Sequence, residues 1–203
     1  MNRRRFLGLF SATTAATLAR VPGMMTHQDS WVISQVLGVC FKVPRSWDFL
    51  SSERLLQVGS EQVLYDDGIS PTPFCGYTKY PEPTPRMNPS IGVFLDRHDE
   101  WMGEDSEEFA VENAAFYATQ VENALIETTG DKVLIDGHHW TRTVIAFDFH
   151  GQDDFFERVR MLTMTTFTEE HVLLLNLTDS FSGVEKAQEE FLALQSSIQH
   201  RKS

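Results

Sequence analysis

Acidic side chains suited to a hard cation are concentrated in the middle of the chain. The stretch 96–108 contains seven Asp or Glu residues and a single Arg. Within it, Asp99, Glu100, Glu104 and Asp105 supply the carboxylate oxygens that Ca²⁺ prefers in proteins. Their spacing does not match an EF-hand loop. Two interpretations follow, a site for calcium or another divalent cation and a solvated acidic loop, and the missing spacing favours the loop.

Histidines near two predicted turns are the other candidates for metal ligands. His138 and His139 are adjacent. Neighbouring side chains of a strand point to opposite faces, so this pair is poorly placed to bind one ion. His150 follows Asp148 and precedes two further aspartates. A metal site that includes His150 is one interpretation, and a solvated turn is the favoured one, so no cofactor is firmly indicated.

Two arginines lie two residues apart in a predicted strand and therefore on the same face. Arg158 and Arg160 could together bind an anion. The alternative is ion pairing, for example with Asp148 across a hairpin. Cross-strand pairs of opposite charge are a common stabilising arrangement, and this interpretation is favoured.

Sequence motifs for catalysis are missing. The chain contains no nucleophile elbow, phosphate-binding loop, dinucleotide-binding fingerprint or zinc-protease motif. No catalytic residue is therefore predicted, although the absence of such motifs is weak evidence. A small hydrolase with dispersed catalytic residues stays as an alternative, because the members of a triad need not be close in sequence.

The two cysteines, Cys40 and Cys75, lie in different predicted segments, a strand and a proline-rich loop. In an exported chain such a pair can form one disulfide, which here would join the loop to the sheet. The alternative is two free thiols, and the sequence does not decide between them.

Length and charge limit the classes of function. A chain of 203 residues with a formal net charge of -12 favours one acidic domain. Nucleic-acid binding is disfavoured because phosphate contacts require clustered Lys and Arg. Attraction to anionic membranes is disfavoured for the same reason.

The N-terminus indicates export. Arg3 and Arg4 precede Phe6 and Leu7 in the spacing of a twin-arginine signal, and a short, mildly apolar run follows. We predict a signal peptide over residues 1–19, a flexible spacer over 20–30 and one domain over 31–203. The destination is then the periplasm, with no membrane insertion after cleavage. The alternative is a chance basic start on a cytoplasmic protein.

Hydrophobic spacing predicts the core in the C-terminal third. Residues 139–150, 155–167 and 172–177 have the pattern of three consecutive strands, the last of them apolar on both faces. The period then changes to that of a helix. The buried stripe of this helix is Val184, Ala187, Phe191, Leu194 and Ile198.

Earlier elements are predicted less sharply. Strands are expected over 31–43, within 54–65, over 90–97 and over 132–135, and a helix from about 106 to 123 with turns at 129–131 and 136–137. The helix stripe comprises Ala110, Ala114, Tyr117, Val121 and Ala124, widened by Phe109 and Phe116. Residues 71–89 hold six of the eight prolines and fit no regular element. Their aromatics, Phe74, Tyr77 and Tyr80, either fix the segment to the body, which is favoured, or bind a partner.

The order of these elements resembles the PsbP-like family. The resemblance spans residues 31–199. It rests on the segment Phe41 to Trp47, the central helix, the Asp136-Gly137 turn, the strand meander and the final helix with Ala187-Gln188 and Phe191. That family includes the extrinsic lumenal protein of photosystem II and many exported bacterial proteins, and a Ran-binding nuclear transport factor shares its fold.

This resemblance implies an α+β fold, a central antiparallel sheet of about six strands flanked by helices in an α/β/α sandwich. It also implies a non-enzymatic accessory role, since the photosystem members bind a large complex and influence calcium, chloride and manganese retention. We therefore expect an exported, monomeric accessory or binding protein whose partner is a periplasmic or membrane-complex protein. A periplasmic metal-binding protein and a small hydrolase are the alternatives.

Overall fold

The computed structural model describes residues 25–28, 30–34, 38–51, 53–54, 72–81, 87–97, 106–150, 156–168, 171–180 and 184–200. These ranges contain two helices and eleven strands. The helices are α1 (Ser106–Gln120) and α2 (Val184–Ser197). The strands are β1 (Met25–Gln28), β2 (Trp31–Ser34), β3 (Val39–Lys42), β4 (Asp48–Leu50), β5 (Thr72–Thr78), β6 (Ser90–Arg97), β7 (Glu122–Ile135), β8 (His138–His150), β9 (Phe156–Phe167), β10 (His171–Ser180) and β11 (Gln199–His200).

The strands form two antiparallel sheets. The large sheet has seven strands in the order β4-β5-β6-β10-β9-β8-β7, and the small sheet has four in the order β1-β2-β3-β11. The predicted C-terminal meander is confirmed as β8, β9 and β10, which pair in sequence order. The predicted turn into it is also confirmed. Asp136 and Gly137 have φ values of 47° and 81°, as the two central residues of a tight hairpin require.

Strand β7 corrects the prediction for the middle of the chain. The helix ends at Gln120 rather than near Asn123, and no turn interrupts residues 129–131. One 14-residue strand runs from Glu122 to Ile135. Three register shifts against β8 divide it, and Asn123 and Gly130 have positive φ, at 50° and 75°. Residues that suggest turns are therefore absorbed as bulges within a continuous strand.

Strand β5 corrects the prediction that residues 71–89 lack regular structure. Thr72–Thr78 pairs with β4 on one side and β6 on the other, although Pro73 lies within it. The ladder to β6 shifts register between Pro73 and Cys75, and a bulge is where a sheet tolerates a residue without an N–H. Residues 82–86 lie outside the described residues.

Two further predictions about the first half of the chain change. Met25–Gln28, predicted as part of a flexible spacer, is strand β1 and pairs with β2. The strand predicted over 31–43, for which a break at Gly38 is one interpretation, is two strands, β2 and β3, which form an antiparallel pair. The predicted signal peptide lies outside the described residues, as does the segment 54–65 with its predicted strands, except for Arg54, which is helical.

One face of the large sheet is covered by α1. Ala114 and Tyr117 of the helix pack with Ile145, Phe147 and Val159 of β8 and β9. Ala110 is buried as well, so most of the predicted helix stripe is confirmed. Val121 is partly buried against the same cluster but follows the helix, and Ala124 belongs to β7.

The opposite face is covered by α2 together with the small sheet. Ala187, Phe191, Leu194 and Ile198 are all buried, which confirms the described part of the predicted stripe; the side chain of Val184 lies outside the described residues. Their cluster comprises residues of α2, the small sheet and the large sheet: Val32, Val39, Phe41, Trp47, Leu173, Leu175, Leu177 and others. The layers are therefore helix, sheet and helix, and the predicted α/β/α sandwich is confirmed with seven strands rather than about six.

Candidate functional site

A cleft of about 300 Å³ lies between α2 and the large sheet, and we call it the α2 cleft. Its floor is formed by side chains of β7 to β10 that face α2, and its wall is formed by α2 itself. The lining residues are Thr128, Asp131, Arg142, Val144, Arg160, Leu162, Leu177, Asp179, Gln188, Phe191, Leu192 and Gln195. Its volume lies at the small end of the range for ligand pockets.

The floor of the α2 cleft follows from the strand register. Leu177 pairs with Leu162, Leu162 with Val144, and Val144 with Thr128, so these four positions form one row across β10, β9, β8 and β7. Paired residues share a face of the sheet, and this row is apolar except at its end. The middle of the cleft is therefore an apolar surface.

The wall that α2 forms has one buried and one exposed apolar side chain. Phe191 is 7% exposed and packs edge-on against Trp47 with ring centroids 5.9 Å apart. Leu192, the next residue, is 54% exposed although it lines the cleft. A large apolar side chain at the rim gives a bound molecule an apolar surface to cover.

Charged side chains flank the apolar row on both sides. On one side Arg142 lies 3.5 Å from Asp131 of β7, a loose ion pair between two exposed groups. On the other side Arg160 holds Glu127 of β7 at 2.7 Å. Each arginine is thus balanced by a carboxylate of the edge strand β7, which is next to the strand of Arg142 and two strands from that of Arg160.

Asp179 is the carboxylate in the lining without such a cation. It lies directly opposite Arg160 in the ladder between β10 and β9, yet the Arg160 guanidinium reaches towards β7 instead. Asp179 is 5% exposed. Its Oδ1 accepts a hydrogen bond from the Ser180 N–H at 2.7 Å, and its Oδ2 is buried with no hydrogen-bond partner in the described part of the chain. Burial raises the pKa of Asp179, and the Ser180 N–H opposes that shift.

The other cation near Asp179 is engaged by helix α2. Lys79 donates a hydrogen bond to Glu190 at 2.7 Å, and both side chains are largely buried, at 12% and 28% exposed. The positive charge of Lys79 lowers the pKa of Asp179, whereas Glu157 and Glu190 raise it. Burial has the largest effect on the pKa of Asp179, and neither Lys79 nor Arg160 forms an ion pair with its carboxyl group.

Of the predicted metal ligands, only His150 lies within the described residues. Asp99, Glu100, Glu104 and Asp105 lie outside those residues, so the calcium interpretation stays a prediction. His150 is exposed and contacts Glu122 at 3.1 Å. Within the ranges that the structure describes, no group of three His, Cys, Asp or Glu side chains could hold a metal ion.

The two arginines of β9 have separate partners. Arg158 binds Asp148 of β8 at 2.8 Å and also the Asn123 carbonyl at 2.8 Å, which confirms the predicted cross-hairpin ion pair. This pairing lowers the pKa of Asp148, with a second hydrogen bond from Asn123 acting in the same direction. Arg160 lines the α2 cleft instead. The two side chains do not form one anion site.

The predicted aromatic binding residues are divided between core and surface. Tyr77 is 3% exposed in β5 and packs edge-on with Phe49, and Phe74 is partly buried against the main core. Only Tyr80 is exposed, at 53%. Two of the three aromatics therefore belong to the body of the domain, and a role of this segment in binding a partner stays a prediction.

The two cysteines are buried and are not joined by a disulfide in this structure, which agrees with the second of the two interpretations that the sequence leaves open. The two strands that carry them belong to different sheets, Cys40 to β3 of the small sheet and Cys75 to β5 of the large one. Burial raises the pKa of Cys75 to about 12, and a hydrogen bond with Tyr77 opposes the shift. A thiol with this pKa is unreactive at neutral pH.

A second group of polar side chains closes the C-terminal end. The ring of His200 in β11 stacks on that of His138 with centroids 3.6 Å apart, and its Nε2 accepts a hydrogen bond from Trp140 Nε1 at 3.1 Å. Asp136 accepts the His200 backbone N–H at 2.7 Å. Burial and the neighbouring His138 lower the pKa of His200 to about 4, so the ring is neutral at pH 7. These contacts hold β11 against β8, and His139 lies apart from them on the other face.

Sequence reasoning missed the α2 cleft and Asp179. The available signal was a carboxylate at the end of an otherwise apolar strand, two positions after Leu177 and therefore on the same face. That signal does not identify what faces the carboxylate, which depends on where α2 lies over the sheet.

In the described ranges, no helix is both long and apolar enough to span a membrane.

The chain has the PsbP-like fold. No family model and no curated protein matches it in sequence. Among solved structures, cyanobacterial PsbP (CyanoP) from Synechocystis superposes with a TM-score of 0.57 at 11% identity, over 89% of this chain and 96% of that one. The predicted resemblance in fold is thereby confirmed.

Two further structures share the architecture. LpqN, which is involved in cell envelope biogenesis of Mycobacterium tuberculosis, gives a TM-score of 0.52 at 13% identity, over 81% of this chain and 83% of that chain. PA94 from Pseudomonas aeruginosa, a protein of unknown function, gives 0.51 at 10% identity, over 89% and 100%. The superpositions establish a common fold. At identities this low they do not establish a common function, which has to be argued from the site itself.

Proposed function

We propose that the chain is an exported, non-enzymatic binding protein that takes its ligand in the α2 cleft. The observation that carries the proposal is the composition of that cleft. It has an apolar floor of Leu177, Leu162 and Val144, an exposed apolar rim at Leu192 and charged groups on both sides. Concave sites of this kind, mostly apolar with a few placed polar groups, are typical of small-molecule binding.

The lining favours binding over catalysis. Nucleophilic catalysis requires a nucleophile such as Ser or Cys beside a base such as His. None of these residue types is among the described residues that line the α2 cleft. Arg142 and Arg160 are held in ion pairs with Asp131 and Glu127, which suits the positioning of a ligand. The lack of a nucleophile and a base among these lining residues favours a binding protein over the hydrolase alternative.

Export is proposed from the N-terminal sequence. Arg3 and Arg4 are in register with Phe6 and Leu7, and the fold is shared with LpqN, a protein of cell envelope biogenesis. Replacing both arginines by lysine is expected to leave the precursor uncleaved in the cytoplasm, as cell fractionation and gel mobility would show. Undiminished periplasmic protein from the double variant would contradict twin-arginine export.

A fragment screen by NMR tests binding at the cleft. Purified protein is screened against a library of small amphipathic molecules, and the amide and methyl shifts locate each hit. We expect the shifts to converge on Val144, Leu162, Leu177 and the α2 wall. The blocking variant is Leu192→Arg, and the matched control is Leu134→Arg, another exposed leucine, at 66%, on the opposite face of the sheet.

The two variants give opposite expectations. Leu192→Arg places a long cation at the rim of the cleft and is expected to abolish most hits, whereas Leu134→Arg is expected to retain them. Hits that map elsewhere, or that survive in the blocking variant, would contradict the proposed site.

A further inference from the structure

The buried carboxyl of Asp179 stands apart from the other unpaired groups of the domain. In the described residues, five buried side-chain atoms lack a hydrogen-bond partner: Trp47 Nε1, the hydroxyls of Thr78, Thr143 and Thr165, and Asp179 Oδ2. Four of these belong to neutral groups. An unpaired oxygen on a carboxylate costs more free energy than an unpaired hydroxyl, because the charge must also be desolvated. Asp179 is therefore the position where a partner from outside would stabilise the protein most.

Neither of the two cations near Asp179, Arg160 and Lys79, supplies this partner. Arg160 is the cross-strand neighbour of Asp179, but it binds Glu127 at 2.7 Å. Lys79 is close enough to affect the carboxyl, but it binds Glu190 at 2.7 Å. Both cations are matched by a carboxylate of their own. When ionised, Asp179 adds one uncompensated negative charge to the site, and a cation from a ligand would balance it.

The surroundings of Asp179 define the rest of the ligand. Leu177 is two positions earlier on the same strand and the same face, and Leu162 is its neighbour on β9. Phe191 and Leu192 face this apolar surface from α2. A molecule with its charge at Asp179 would therefore lie with its remaining atoms over a hydrocarbon surface that it could remove from water.

We propose that the α2 cleft binds a small organic amine, with the ammonium group at Asp179 and an apolar chain or ring over Leu162, Leu177 and Leu192. This inference rests on the proposed function, since it assigns a ligand class to the same cleft. The ammonium donates to Asp179 Oδ2, the oxygen that the Ser180 N–H leaves free. The low exposure of Asp179 screens this ion pair from water, and a screened charged hydrogen bond is stronger than an exposed one.

The test compares three probes that share one apolar chain and differ in the head group. n-Hexylamine, n-hexanol and sodium hexanoate are titrated separately at pH 7 into the purified protein, and methyl NMR shifts give each Kd. A charged hydrogen bond favours the amine over the alcohol by about 10- to 100-fold. Hexanoate is expected to bind more weakly than both. This comparison uses the unaltered protein.

Two isosteric variants then locate the head group. Asp179→Asn keeps the acceptor for the Ser180 N–H but removes the charge, and it is expected to raise the hexylamine Kd about tenfold or more while hexanol binding stays the same. Glu189→Gln makes the same charge change on the exposed side of α2, outside the cleft lining, and is expected to change neither Kd by more than about twofold.

The outcomes separate the two proposals. If hexanol or hexanoate binds at the cleft as tightly as hexylamine, or if Asp179→Asn leaves the hexylamine Kd unchanged, the amine assignment is wrong and the binding site stands. If none of the three probes shifts the cleft methyls at millimolar concentration, both the amine assignment and the proposed binding function are contradicted.

Discussion

The two faces of the large sheet are covered to different extents. On one face α1 lies over β7, β8 and β9, and the buried side chains beneath it form a continuous layer with Ala114 and Tyr117. On the other face α2 lies over β10 and against β3 of the small sheet. The α2 face of β7, β8 and β9 is consequently left partly uncovered, and the α2 cleft is this uncovered part.

The offset between the helices explains how one sheet forms a core and also the proposed binding site. On the α1 face the buried polar groups are neutral, and several bind each other: Ser106 with Thr141, and Thr163 and Tyr117 with Asn176. On the α2 face four charged side chains line the cleft, and one of them, Asp179, has no cation of its own. Neutral polar groups can be buried in a closed interface at little cost when they are hydrogen-bonded. A buried charge without a counterion is costly, and a ligand of opposite charge would reduce that cost.

The largest expected effect concerns the contact that holds α2 on its face. Phe191→Ala removes a buried ring that packs on Trp47 and is expected to lower the free energy of unfolding by roughly 3–5 kcal/mol, from lost burial and the cavity left behind. Chemical denaturation measures the change. The matched control is Leu192→Ala, one residue along the same helix and 54% exposed, for which about 0.5 kcal/mol or less is expected.

Equal denaturation midpoints for the two variants would show that α2 does not present Phe191 to the core. The cleft wall would then be misplaced, and the comparison between the faces would fail.

The next effect concerns the pH dependence of the C-terminal end. His200 has a pKa of about 4 in the folded chain, below its ordinary value of 6.5, because burial favours the neutral ring that accepts from Trp140. The unfolded chain therefore binds the proton first as the pH falls. Stability is expected to decrease from about pH 6.5 to pH 4 by roughly 1–3 kcal/mol, a range discounted for the ring's partial exposure.

Thermal unfolding across this pH range, with two variants, checks the assignment. His200→Gln is expected to lose this part of the pH dependence, whereas His139→Gln, an exposed histidine on the other face, is expected to keep it. The same pH profile in His200→Gln as in the unaltered chain would contradict the role of His200.

A smaller effect is expected within the closed face. Thr163 donates its hydroxyl to Asn176 at 2.9 Å beneath α1, and both residues are buried. Thr163→Val keeps the shape of the side chain but removes the donor, and it is expected to cost about 1–2 kcal/mol in the free energy of unfolding. Thr119→Val, on the exposed side of α1, is the control and is expected to have less than half that effect. No difference between the two would contradict a stabilising role for the Thr163–Asn176 hydrogen bond.

The smallest effect has the opposite sign and concerns Asp179 itself. Burial raises its folded pKa, so the folded chain binds this proton more tightly than the unfolded chain, and the group destabilises the fold as the pH rises above about 4. Asp179→Asn is therefore expected to raise stability at pH 7 by about 1 kcal/mol or less, and this gain is expected to shrink as the pH is lowered towards 4. A loss of stability at pH 7 would show that the carboxylate is already compensated.

The elements with regular spacing could be predicted from the sequence. The positions Ala187, Phe191 and Leu194 indicate one buried stripe of a helix, and the almost wholly apolar run 172–177 of β10 indicates a strand covered on both sides. Asp136-Gly137 marks a hairpin because few other residue pairs adopt its backbone angles. These features depend on local spacing and local conformation, which a sequence displays directly.

The features that depend on neighbours could not be predicted in this way. Gly130 looks like the centre of a turn, yet pairing with β8 keeps the chain extended and makes a bulge of it. Pro73 argues against a strand, yet a register shift accommodates it. The α2 cleft arises from the offset of two helices that are more than 60 residues apart in sequence. Asp179 lacks a cation because Arg160 is paired with Glu127 and Lys79 is paired with Glu190.

The most direct test of the account is to measure which methyl groups contact a bound ligand. The fragment or amine of highest affinity is added to protein labelled at its Leu, Ile and Val methyls, and intermolecular NOEs are recorded. We predict NOEs to Val144, Leu162 and Leu177 on the α2 face, and none to Ile145 or Leu174 on the α1 face. NOEs confined to the α1 face or to Leu134 would contradict the claim that the α2 cleft is the binding site.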